Sequence, residues 1–227
     1  MPAVLKLRRD WPRIDPKLLN SFGAFFSSQL SDANSECGVI GLPIKRLHGK
    51  GVIMGSALTV STLGAADNLA PYAALKLAQP GDVVVIASQA CDASALIGDN
   101  IVGLMRNAGV VGVITDGLVR DAVGLDAIGL PIHARGYSPK APTKQGPGTV
   151  GLPIQLAGVT IAPGDFVIAD EDGVVIVAPW LLSEMLEKLQ QIQSKDQAKM
   201  DLINAGGTLP PDLDALLSRV GIAWQES

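Results

Sequence analysis

The chain has 227 residues, of which 48% are hydrophobic and 18% charged, with a formal net charge of −4. That composition excludes intrinsic disorder and allows a sizeable core without disulfide or metal staples, and the acidic balance argues against nucleic acid as a partner. Two cysteines, Cys37 and Cys91, fit a reducing compartment, and no apolar run reaches about 18 residues, so a cytoplasmic protein with no membrane span is expected.

Residues 1–13 read as an N-terminal arm. A helix follows, with Ile14, Leu18, Leu19 and Phe22 at helical spacing, Asp15 as its cap and Pro16 in its first turn. Residues 52–60 read as a strand, weakened by its small residues. Asp67 can cap a short apolar helix over 69–78. Pro80-Gly81-Asp82 is a turn, and the β-branched run 83–87 after it suits a strand buried on both faces. Gly98-Asp99-Asn100 opens a helix carrying Ile101, Leu104 and Met105, closed by Gly109. Residues 110–115 form another buried strand, with Arg120-Asp121 beyond it. A short helix and a strand over 132–135 complete an α/β alternation.

Residues 136–149 read as a long loop rich in Gly, Pro and Lys. The segments 159–161, 165–169 and 173–177 read as a hairpin meander turned by Pro163-Gly164 and Asp172-Gly173. A helix from about 181 to 205 opens a C-terminal region that runs to 227. With no repeat, low-complexity tract or linker, a single domain over 1–227 is expected.

Two features carry chemistry. The helix start at Gly98-Asp99-Asn100-Ile101 offers unpaired amides and a positive dipole end. Arg120-Asp121 lies beyond the carboxyl end of a buried strand, where α/β folds place ligands. Arginine presents a planar fork that matches a carboxylate, and Mg²⁺ needs only one or two protein carboxylates beside water and substrate. Such a pair suits a 2-keto acid held on a divalent ion, with an enolate stabilised electrostatically. A structural ion pair or helix cap would use the same residues.

The pattern Asp99-x20-Arg120-Asp121 resembles the signature of the class II pyruvate aldolases that act on 4-hydroxy-4-methyl-2-oxoglutarate and 4-carboxy-4-hydroxy-2-oxoadipate. The same fold family contains the regulator of ribonuclease E activity A. The similarity runs from about Ser31 to Gly206 and includes Ala65-Ala66-Asp67-Asn68-Leu69, Pro163-Gly164-Asp165 and Ala169 to Val174. The resemblance implies a layered α/β/β/α sandwich of the swivelling β/β/α type with mixed sheets. It implies a metal-dependent carbon–carbon lyase of aromatic degradation, with oxaloacetate decarboxylation as a side activity. The alternative is a non-catalytic, protein-binding regulator of an RNA-degrading enzyme.

Residue by residue, the resemblance implies that Asp121 binds Mg²⁺ or Mn²⁺ and that Arg120 holds the pyruvyl carboxylate. Asp99 would orient metal-bound water, and Gly98 with the amides of Asn100 and Ile101 would contact substrate. It also implies a homotrimer or hexamer whose site is shared, with Asp32 and Asp196 coming from the neighbour. Both stand where the family pattern has Glu. Asp196 falls on the stripe Leu182, Met185, Leu186, Leu189, Ile192, Met200 and Ile203 of the last helix, where a carboxylate needs a partner unless the helix rotates into solvent past Ile192.

Other residues carry less. Lys140 and Lys144 lie among Pro, Gly and Ser, a solvated setting that disfavours Schiff-base chemistry, although either could meet a distal substrate carboxylate. His48 and His133 show no zinc spacing, and no motif marks Cys91 as a nucleophile. No glycine-rich nucleotide loop follows the first long strand, which speaks against a methyltransferase.

Overall fold

The two β-branched runs of the sequence lie side by side in the middle of a large mixed sheet. The computed structural model describes residues 4–225. Strands Ile53–Ser61, Asp82–Ala87, Gly112–Thr115 and Ile132–Ala134 run parallel in that order. Lys45–His48 closes one side antiparallel, and Phe166–Ala169, Val174–Val177 and Val39–Ile40 extend the other. In strand Asp82–Ala87, Val84 and Ile86 face one core while Val83 and Val85 face another, and all four are 0% exposed. Burial on both faces is why the run lacks polar alternation.

One core lies under the helices Leu69–Ala74 and Asp99–Asn107. The second is covered by the hairpin Ile154–Leu156 and Val159–Ile161. The third packs the helices Ser27–Ala33 and Leu182–Asn204 on Phe166, Ile168, Val175 and Val177. A smaller parallel sheet, Ala95–Ile97 with Leu118–Val119 and Gly136–Tyr137, stands beside the first core. The expected mixed α/β architecture is what the chain adopts.

Several local expectations change. The N-terminal arm is structured: Leu5–Leu7 pairs with Gly148–Val150, and Arg13 grips the buried Asp82 carboxylate at 2.8 and 3.0 Å beneath the Trp11 ring. A helix at Ser27–Ala33 has Phe26 at its N-cap, a residue with no side chain to cap it, although Gln29 Oε1 accepts from the Phe26 amide at 3.3 Å. Its first residue, Ser27, instead donates its amide (2.7 Å) and hydroxyl (2.5 Å) to the distant Asp170 carboxylate. Asp32 sits inside this second helix.

The meander is also incomplete, because Val159–Ile161 turns back on Ile154–Leu156 while only Phe166–Ala169 and Val174–Val177 form the expected hairpin. The last long helix buries Leu182, Met185 and Leu189, but Met200 and Ile203 are exposed. Its stripe rotates off the body after Ile192, and a further helix, Leu213–Val220, follows. Among the described residues no helix is long and apolar enough to cross a membrane.

Candidate active site

Arg120 and Asp121 occupy a corner between sheet and helix. The small sheet fixes the approach: Arg120 N–H donates to the Ile97 carbonyl at 3.1 Å, and Val119 pairs with Tyr137. Asp121 then turns with φ 62° and ψ 45° and caps the helix Ala122–Ile128, its carbonyl accepting from Leu125 N–H at 2.9 Å. Left-handed backbone is more accessible to Asp than to most residues, because its short polar side chain bonds locally. The turn carries the two consecutive side chains to one side, where strand geometry alone would part them. Arg120 Nε and Asp121 Oδ2 lie 3.3 Å apart, each side chain about one-third exposed. They thus form the ion pair that a structural role for these residues would also use. Among the described residues the terminal nitrogens of Arg120 have no hydrogen-bond partner and can receive a ligand carboxylate.

The helix Asp99–Asn107 faces this corner through Gly98, its N-cap. A Cβ on Gly98 would collide with the Asp121 carboxylate and lie 3.0 Å from Arg120 Cγ. Glycine is therefore what lets the two elements close on each other. Gly98, Asn100, Ile101, Arg120 and Asp121 line one cavity of about 580 Å³, together with Asn68, Tyr72, Leu104 and Lys144.

Asp99 stands apart. Its Oδ1 accepts from the Asn100 amide at 2.6 Å, and it lines an adjoining groove with Gly124 that shares Asn100 and Leu104 with the main cavity. A Cβ at Gly124 would come within 2.5 Å of Asp99 Oδ2, so this carboxylate rests directly on the helix that Asp121 begins. Asp32 and Asp196 do not line the cavity. Asp196 accepts from Gln29 Nε2 at 3.1 Å, which places it against the helix that carries Asp32.

The far wall comes from the segment read as a free loop. Asp67 is 1% exposed and accepts from Leu69 N–H (2.9 Å), Thr143 Oγ1 (2.8 Å) and Gln145 N–H (2.5 Å). Burial alone would raise its pKa, but these donors outweigh it and hold the carboxyl below the usual range. Asp67 thus holds the first amide of the helix Leu69–Ala74, whose N-cap is Asn68, and also moors this wall. The moored segment sets Lys144 Nζ 4.3 Å from the Tyr72 ring centroid, while Lys144 stays solvent-exposed. Asn68 lines the same wall with a buried Oδ1 that has no partner among the described residues. Asn68 was visible in the sequence only beside Asp67, and nothing in its own spacing marked it or Tyr72 as cavity residues. Cys91 and Lys140 do not line the cavity.

This layered α/β fold, with an Arg–carboxylate corner facing a helix start, defines a protein class. The chain belongs to the RraA-like Aldolase/RraA family, whose pattern matches residues 27–176. A relative from Halalkalibacterium halodurans is 33% identical over 181 residues, covering 80% of this chain and 86% of its own, and bears the provisional name 4-hydroxy-4-methyl-2-oxoglutarate aldolase. The crystal structure of Streptomyces coelicolor RraAS2, described as an unusual member of the RNase ES inhibitor RraA family, is 26% identical. It superposes with a TM-score of 0.76 over 84% of this chain and 99% of its own. A Geobacillus kaustophilus structure titled S-adenosylmethionine:2-dimethylmenaquinone methyltransferase is 31% identical, with a TM-score of 0.63 over 68% of this chain and 95% of its own.

Proposed function

We propose that the protein is a divalent-metal-dependent aldolase that cleaves a 4-hydroxy-2-keto di- or tricarboxylic acid to pyruvate and a second keto acid. Oxaloacetate decarboxylation is its companion activity. The carrying observation is the partly exposed Arg120–Asp121 pair set against the Gly98 helix start on one wall of the cavity. The name of the Halalkalibacterium halodurans relative supports the same reaction class.

The donor set fits Mg²⁺ or Mn²⁺. Among the described residues no group of three or more His, Cys, Asp or Glu side chains gathers, which disfavours zinc, whereas one carboxylate completed by water and substrate suits Mg²⁺. Asp121 is the residue that would hold the ion. When bound, the ion supplies Lewis-acid polarisation of the keto acid. Arg120 grips the pyruvyl carboxylate with its free guanidinium edge. Arg120 and the helix-start amide of Ile101 meet the negative charge that develops on the keto oxygen. As the C3–C4 bond breaks, the 4-hydroxyl proton leaves and the bonding electron pair passes to the pyruvyl half, which takes up a proton at C3. Asp99, in the adjoining groove, orients water for these proton transfers. Lys144, on the far wall, suits a distal carboxylate.

Asp32 and Asp196 complete the site of a neighbouring copy in a homotrimer or hexamer. Support comes from their placement on paired helices away from this chain's own cavity. The RraAS2 likeness favours the second reading, a protein that inhibits an RNA-degrading enzyme. Neither reading includes methyl transfer, because Thr62 to Asp67, which follow the first long strand, lack the glycine pattern of a nucleotide loop.

The deciding experiment is pyruvate release from oxaloacetate and from 4-hydroxy-4-methyl-2-oxoglutarate by purified protein. Mg²⁺ should be required, and both chelation and Asp121→Ala should abolish turnover. Equal rates with excess chelator would sink the metal-dependent mechanism. No pyruvate from either substrate, with inhibition of a ribonuclease, would favour the regulator.

A further inference from the structure

Outside the cavity, three side chains form a hydrogen-bonded chain that the proposed chemistry does not use. His48 is buried, with 2% of its side chain exposed, and its Nδ1 lies 2.6 Å from Asp126 Oδ1. Its Nε2 lies 2.8 Å from the Tyr137 hydroxyl, with the two rings edge to face at 5.6 Å. Asp126 can only accept when ionised, so the neutral ring donates from Nδ1 to Asp126 and accepts at Nε2 from Tyr137. Burial, and then the Asp126 charge, push the Tyr137 phenol above its ordinary pKa, so it remains a donor at neutral pH.

The three residues come from three elements, two of which adjoin the Arg120–Asp121 corner. Tyr137 is paired in register with Val119, the residue before Arg120. Asp126 lies on the helix that Asp121 caps. His48 ends the edge strand of the large sheet, where it pairs with Ile132. One imidazole therefore ties the helix leaving the corner to Gly136–Tyr137, the strand paired beside the one that enters it. Left-handed backbone at a residue with a side chain persists only where its surroundings over-determine it. Here the entering side is held by the Arg120 to Ile97 bond and the leaving side by the Leu125 to Asp121 bond, while His48 links Asp126 on the leaving helix to Tyr137 on the strand paired with the entering one.

We infer that His48, through Tyr137 and Asp126, is a positioning residue that holds Arg120 and Asp121 in register with the cavity. The inference rests on the proposed reading, in which Asp121 receives the divalent ion. Neither His48, Asp126 nor Tyr137 lines the main cavity, so their substitution leaves its walls in place.

The test uses the full chain with Tyr137→Phe, Asp126→Ala and Asp126→Asn, chosen because Tyr137 and Asp126 are exposed enough for the variants to fold. Amide hydrogen exchange is followed at Arg120 and Leu125, with Val84 and Val85 as references, and Mn²⁺ affinity is measured without substrate. Tyr137→Phe and Asp126→Ala should speed exchange at the two corner amides by about tenfold and leave the references unchanged. They should weaken Mn²⁺ binding by about tenfold, the scale of lost outer support at a metal ligand. Asp126→Asn keeps an acceptor for His48 and should stay close to wild type. Unchanged corner exchange, loosening shared equally by Val84 and Val85, or unaltered Mn²⁺ affinity would each overturn the inference. A wild type that binds no Mn²⁺ ends it together with the reading beneath it. A wild type that binds Mn²⁺ but releases no pyruvate ends only that reading.

Discussion

Arg120 is where geometry and chemistry are most tightly joined. Its Nε faces Asp121 at 3.3 Å, so its outer edge is the part left for a carboxylate. Lysine can replace the charge but not the fork, and Arg120→Lys should lower kcat/KM by about 3–5 kcal/mol equivalent if the contact is desolvated in the complex. A variant with near wild-type kcat/KM would leave Arg120 as a structural ion-pair partner. His133 makes a different prediction. It is fully buried and donates from Nε2 to the Asp170 carbonyl at 2.8 Å, and burial lowers its pKa below 6.5. The folded state resists its protonation while the unfolded state does not. Its contribution is therefore full above pH 6.5 and is lost as pH falls from there through the lowered folded value. In urea unfolding His133 should contribute at most about 1.4 kcal/mol per pH unit to the fall in wild-type stability in that window. His133→Gln, which keeps a donor for Asp170, should remove that part of the slope.

The helix Ala122–Ile128 serves as the floor for Asp99 and the anchor of Asp121. Gly124 lies inside it, where alanine would ordinarily add about 1 kcal/mol of helix stability. Its Cβ would press on Asp99 Oδ2, however. Because that Cβ would also lie 2.8 Å from Asp99 Cβ, Gly124→Ala should lower the melting temperature despite the helix gain, and lower kcat by about tenfold, since a small displacement of a reacting group is costly. Unaltered kcat would remove Asp99 from the proton-transfer role. The sequence marked this stretch as a short helix and marked Gly98-Asp99-Asn100 as a helix start. It could not show that two glycines from separate elements meet two aspartates. Nor could it show that the segment 136–149 is moored by Asp67, since that carboxylate's partners lie more than seventy residues away.

For the assembled molecule, the question is where Asp32 and Asp196 act. Asp32 is exposed near the carboxyl end of a seven-residue helix, where the dipole disfavours an acid, and Asp196 touches that helix through Gln29. If a neighbouring copy uses them, co-expression of inactive Asp121→Ala with inactive Asp196→Ala should restore part of the activity, because some junctions then pair a wild-type copy of each half. Oligomer size should be unchanged in both single variants. No recovery in demonstrably mixed oligomers would confine the site to one chain, and a monomer at working concentration would end the idea.

The strands over 53–61, 82–87 and 112–115, the helix start at Gly98 and the Arg120-Asp121 pair were all legible, because each rests on short-range signals: β-branched runs, turn residues and caps. The hairpin at Asp172-Gly173 was legible for the same reason. Four features were not: the strap of Leu5–Leu7 and Arg13, the helix capped by Asp170, the wall carrying Asn68 and Lys144, and the imidazole between Tyr137 and Asp126. Each depends on donors and acceptors far apart in the chain, and their pairing is decided only when burial removes water as the competing partner.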